Sequence, residues 1–122
     1  MGGAIVRALL AQGEQMRVLA RRTSKVEHLK ARGIEITYGD IFDQASISAA
    51  LEGCDTLYHV TPVVFEPYPH AAPRITVEGT RNALEAALAA RVTKVVYTST
   101  LITIGERKGE IGTETTRHRG YY

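Results

Sequence analysis

Arg21 and Arg22 stand side by side just past a short extended run, Met16–Ala20, with Thr23, Ser24 and Lys25 behind them. Guanidinium forks match phosphate oxygens, so this turn is a candidate phosphate site. A solvated basic turn has the same composition, and only the fold separates the two readings. Gly2-Gly3 directly precede an apolar helical stretch. Glycines there let a pyrophosphate approach the backbone and the positive helix end, and equally make a flexible chain start. Gly39-Asp40-Ile41-Phe42-Asp43 follows another extended run. An acid at a strand's carboxyl end can accept from an amino group, while Asp43 caps the helix that follows. His59 closes a further extended run and is followed by Thr61-Pro62, where the chain must turn. A lone histidine there serves either structure or catalysis. Thr98-Ser99-Thr100 closes the last such run. Hydroxyls at the carboxyl end of a parallel strand face the ligand crevice, although threonine also simply favours strands.

Periodicity supplies the elements that must position these groups. Ile5, Val6, Leu9 and Leu10 recur at helical spacing from Gly3 to Gln12, with Gly13 as the stop. Ser24 caps a helix through Ala31, ended by Gly33, and Asp43 caps one carrying Ile47, Ala50 and Leu51, ended by Gly53. Val77 to Ala90 is strongly helical, with Leu84 and Leu88 four apart. Met16–Ala20, Ile34–Tyr38, Asp55–Val60 and Thr93–Thr98 read as strands. The last is a continuous β-branched and aromatic run, as expected of a strand buried on both faces. The loop after Val60 carries Pro62, Pro67, Pro69 and Pro73. Strands alternating with helices imply right-handed βαβ units and a parallel sheet. The series opens on a helix, whereas a βαβ series should open on a strand.

Composition bounds the function. A chain of 122 residues with 44% hydrophobic and 23% charged residues is one soluble globular domain in balance. A net charge of +2 is too weak and too evenly spread to argue for nucleic acid. The single Cys54 excludes an internal disulfide and a cysteine zinc cluster, so no metal site is expected and a reducing, cytoplasmic setting fits. The N-terminal apolar stretch is interrupted by Arg7 and too short to span a bilayer.

The motifs occur in one order: Gly-Gly before a helix, Ala20-Arg21-Arg22, Gly39-Asp40-Ile41-Phe42-Asp43, Tyr58-His59-Val60, Val77-Glu78-Gly79-Thr80-Arg81-Asn82, then Val95-Val96-Tyr97-Thr98-Ser99-Thr100 through Gly105. In that order and spacing the chain resembles the extended short-chain dehydrogenase/reductases, in particular the dihydroflavonol-4-reductase-like members of the NAD-dependent epimerase/dehydratase group. The resemblance implies an α/β fold, a Rossmann-like parallel sheet of order 3-2-1-4-5-6 with helices on both faces. The strand missing before the first helix would be the first, central one, so residues 1–122 are expected to form a partial NAD(P)-binding domain.

Carried over position by position, the resemblance assigns cofactor contacts to Gly2, Arg21, Arg22, Lys25, Asp40, Ile41, Thr61 and Ser99. Gly2 matches only the last glycine of Thr-Gly-x-x-Gly-x-x-Gly. Arg21 matches the arginine that NADP-dependent relatives place near the 2′-phosphate, so NADP is expected over NAD. Asp40 and Ile41 match the pair that frames adenine. Thr61-Pro62 replaces two alanines after His59, and Thr76 stands where the family has asparagine. Thr100 matches the catalytic Ser/Thr that polarises a substrate carbonyl. The family's proton donor is the tyrosine of Tyr-x-x-x-Lys. Tyr38, Tyr58, Tyr68 and Tyr97 have Phe42, Pro62, Ala72 and Leu101 four residues on, and family spacing places the motif past Tyr122. The expectation is therefore a fragment of an NAD(P)-dependent oxidoreductase or epimerase acting on a carbonyl or sugar-like small molecule. Alone, it is expected to be inactive and unable to hold the intact fold. The alternative is a non-catalytic NADP-binding sensor or scaffold module. A flavodoxin-like signalling domain fits the Arg21-Arg22 turn poorly. Family members pair through the long helix, so a homodimer is one expectation; packing of its alanine-rich face on its own sheet is the other.

Overall fold

The structure is a computed structural model that describes residues 2–60, 74–99 and 109–117. In chain order the elements are α1 (Gly2–Ala11), β1 (Arg17–Ala20), α2 (Glu27–Lys30), β2 (Glu35–Tyr38), α3 (Gln44–Leu51) and β3 (Thr56–His59). A π-turn (Ile75–Gly79), α4 (Thr80–Ala89) and β4 (Lys94–Tyr97) follow. Each strand falls inside the run that its sequence predicts.

The strands form two parallel pairs. β1 pairs with β2, Arg17 opposite Glu35 through Ala20 opposite Tyr38. β3 pairs with β4, Thr56 opposite Lys94 through His59 opposite Tyr97. Among the described residues the second edges of β1 and β3 carry no strand. One helical layer nonetheless serves both pairs. Ile47 and Leu51 of α3 pack with Ala86 and Ala87 of α4, and Leu19 of β1 and Leu57 of β3 both rest on that cluster. The small alanines explain the close helix approach: Ala83, Ala86 and Ala87 are buried, while Leu84 and Leu88 on the other side of α4 are 41% and 80% exposed.

Local signals account for the helix ends. Asp43 Oδ1 accepts from Ala45 N at 3.1 Å and Ser46 N at 3.3 Å, so it caps α3 as its position predicts. Gly33 and Gly53 end the second and third helices at φ 76° and 73°, a conformation that costs any other residue a clash with its own carbonyl.

Three expectations need correction. Ser24 does not cap α2: its N–H donates to Arg21 O in a tight turn, and the helix starts only after Val26. Gly2-Gly3 do not precede α1 but form its first turn. β4 is not buried on both faces. Val95 is 40% and Tyr97 48% exposed, because among the described residues β4 packs substantially only on β3.

Candidate functional site

Parallel strands release their ends at one rim of the sheet, where α/β folds bind ligands. At the β1–β2 rim Gly39 N donates to Ala20 O at 3.0 Å, which holds the two departing loops together. Arg21 and Arg22 leave from β1 and are exposed; Gly39, Asp40 and Ile41 leave from β2 and are half-buried. The Arg22 guanidinium lies over the Tyr38 ring, 5.8 Å from its centroid. The Lys30 ammonium lies 5.2 Å from the same centroid. Hydrogen bonding to the Tyr38 hydroxyl raises the Lys30 pKa, so this ammonium stays cationic at neutral pH. Lys25 is exposed in the turn between them.

The Asp40–Asp43 loop is held from two sides. Asp40 N donates to Ser46 Oγ at 3.2 Å, and Asp40 Oδ1 accepts from Phe42 N at 3.0 Å. Asn82 of α4 donates through Nδ2 to Ile41 O at 3.1 Å. The Ile41 side chain lies directly on Gly79: a Cβ there would come within 2.9 Å of Ile41 Cδ1 and Cγ1. Beside this loop Arg74 stacks on the exposed Phe42 ring at 4.6 Å and pairs with Glu78 at 2.7 Å. That hydrogen-bonded pair raises the Arg74 pKa and lowers that of Glu78.

At the other rim His59 is buried at 5% exposure. Its Nε2 is 3.1 Å from Thr80 Oγ1, and its ring stacks on Tyr97 at 5.4 Å and 11°. Burial lowers its pKa, so the ring is neutral near pH 7. Ser99 is exposed two residues past β4. Gly2 is exposed at the start of α1, with nothing within 4 Å of where a Cβ would lie. Thr61 and Thr100 lie outside the described residues.

The structure thus brings Arg22 to Tyr38 and Lys30, and Asp40-Ile41 to Gly79 and Asn82. Sequence reasoning passed over Tyr38, Lys30 and Asn82. Tyr38 had a usable signal, its place at the end of a strand two residues before Asp40. Asn82 had one too, as the last residue of the Val77-Glu78-Gly79-Thr80-Arg81-Asn82 motif, whereas Lys30 had none, since only packing of α2 brings it to Tyr38.

A family profile described as NAD(P)H-binding matches residues 1–122. The chain belongs to the NAD(P)H-binding family. Within it the chain is an extended short-chain dehydrogenase/reductase. It is 39% identical over 107 residues to sterol demethylase protein B of Methylococcus capsulatus, covering 86% of this chain and 33% of that protein. It is 36% identical over 107 residues to a putative dihydroflavonol 4-reductase of Synechocystis, covering 86% of this chain and 31% of that one. The crystal structure of gox2253 superposes with a TM-score of 0.86 at 35% identity, over 97% of this chain and 37% of the other. The fold is therefore the Rossmann-like NAD(P)-binding one. This NAD(P)H-binding chain spans about a third of the length of the curated relatives it matches.

Proposed function

We propose that residues 1–122 form the adenosine-binding part of an NADP-dependent reductase, epimerase or dehydratase acting on a carbonyl or sugar-like small molecule. The observation that supports this most is the β1–β2 rim, where the Arg21-Arg22 turn and the clamped Asp40-Ile41 loop emerge side by side. An acid after β1 would accept from a ribose 2′-hydroxyl; arginines suit a 2′-phosphate. The donor set therefore fits the phosphorylated adenosine half of NADP. Arg21, Arg22 and Lys25 hold the 2′-phosphate. Asp40 accepts from the adenine amino group, and Ile41 covers the ring. Gly2 leaves backbone room for the pyrophosphate at the positive end of α1. Thr61 and Ser99 line the nicotinamide side, and Thr100 hydrogen-bonds the substrate oxygen.

When bound, the cofactor supplies or takes up hydride. The chain's own contribution is to orient the nucleotide and to polarise the substrate oxygen through Thr100. Tyr-x-x-x-Lys does not occur in residues 1–122. On this reading proton transfer needs a donor other than a Tyr-x-x-x-Lys pair within these residues. The open edges of β1 and β3, both resting on the α3–α4 layer, are those that one more parallel strand would join into a single sheet. The single Cys54 fits a reducing, cytoplasmic setting. Among the described residues no helix is long and apolar enough to cross a membrane. Val77, Leu84 and Leu88 are exposed and leave a face on which a second copy could pack.

Calorimetric titration with NADPH and NADH tests the cofactor. Tighter NADPH binding, lost selectively in Arg21→Ala, supports the proposal; equal affinity for both cofactors refutes it.

A further inference from the structure

Two cations converge on one aromatic ring at the β1–β2 rim, and neither belongs to the ion pairs among the described residues, Arg17–Glu35 and Arg74–Glu78. Arg22 and Lys30 come from different elements, the loop after β1 and the end of α2. Like charges gathered this way repel unless something offsets them. Tyr38 supplies the offset in two ways: the negative face of its ring attracts Arg22 within about 6 Å, and its hydroxyl hydrogen-bonds Lys30.

We propose that Tyr38 is a positioning residue for cofactor choice: its ring gathers Arg22 and Lys30 into a preformed two-cation clamp for the 2′-phosphate of NADP. The proposal rests on the NADP reading above and extends it to two residues, Tyr38 and Lys30. An exposed arginine or lysine samples many rotamers, and freezing them on binding opposes affinity. A ring that already holds both groups removes part of that cost. The clamp also carries selectivity, because it acts on the 2′-phosphate alone. A nucleotide without that phosphate gains nothing from two ordered cations. The whole device lies in β1, α2 and β2, so it needs no contact from the nicotinamide side.

The test uses the 122-residue chain with two small probes, adenosine 2′,5′-bisphosphate and 5′-AMP, which differ only in the 2′-phosphate. Affinities come from calorimetry on the native chain and on Tyr38→Leu, Tyr38→Phe and Lys30→Gln. The native chain should prefer the bisphosphate. Tyr38→Leu, which keeps bulk but removes the π face, should reduce that preference about fivefold. Tyr38→Phe, which keeps the face beneath Arg22 but loses the hydroxyl that Lys30 hydrogen-bonds, should reduce it less than Tyr38→Leu does. Lys30→Gln lies on an exposed helix and removes one cation without touching the core; it should reduce the preference as well. Retention of the native preference in Tyr38→Leu or in Lys30→Gln overturns the proposal. So does an equal loss for both probes in Tyr38→Leu, which would make the ring an adenine contact instead. A native chain that melts cooperatively yet binds both probes equally, or neither, refutes the NADP reading itself. A native preference that survives both variants leaves that reading standing and removes only the clamp.

Discussion

His59 Nε2 lies 3.1 Å from Thr80 Oγ1, and this contact ties the end of β3 to the start of α4. With Tyr97 stacked on the same ring, one buried side chain joins both strands of the β3–β4 pair to the helical layer. Burial favours the neutral ring, so the folded pKa lies below that of the unfolded chain. The unfolded state then binds more protons as pH falls below its own histidine pKa of about 6.5. The stability that neutral His59 preserves is present above that value and is lost progressively as pH falls through the folded pKa. Urea midpoints measured across the histidine range should drop on the acid side in the native chain and less in His59→Gln. An unchanged acid slope in His59→Gln would assign the drop to other groups.

Gly79 should not tolerate a side chain. A Cβ would meet the body of Ile41 at 2.9 Å and push that residue off the rim. Gly79→Ala is expected to cost about 1–3 kcal/mol through overpacking and to weaken binding of 5′-AMP, since Ile41 covers the proposed adenine site. Denaturant melts and nucleotide titration check the two effects separately.

Arg91 offers a stabilising substitution. It stands just past α4 at φ 58°, a left-handed conformation in which glycine is the usual residue. Arg91 N donates to Leu88 O at 3.1 Å and Val92 N to Ala87 O at 2.9 Å, so the turn is well formed despite the strain. Arg91→Gly should raise stability by up to ~1 kcal/mol, the relieved strain being partly offset by the freer unfolded chain. The thermal midpoint reports it.

Asp43→Ala removes the two hydrogen bonds that cap α3 and should cost ~1 kcal/mol. The loss should appear in the denaturant midpoint, with nucleotide binding changed little. A large loss of binding would show that the Asp40–Asp43 loop depends on the cap.

The elements were legible because their signals are local. Alternation gave Ile34–Tyr38, and the Asp43 side chain marks its own helix start. The π-turn was not legible, because nothing in the residue types or spacing of Ile75–Gly79 marks its wider winding. Which face of α4 is buried was legible only as one of two expectations, and packing of the alanine-rich face is the one observed. Leucine spacing pointed to Leu84 and Leu88, but the narrow gap beside α3 admits alanine and leaves both leucines in solvent. At the site, the arginine turn and the Asp40-Ile41 pair were readable from their order along the chain. Tyr38, Lys30 and Asn82 act across elements, so their partners depend on register and helix packing that their places along the chain do not reveal.

The cofactor claim is tested most directly by titrating the native chain and Arg21→Ala with NADPH and NADH side by side. The account predicts tighter binding of NADPH to the native chain and a loss in Arg21→Ala confined to NADPH. Equal affinity in the native chain, or an equal loss for both cofactors in the variant, would contradict it.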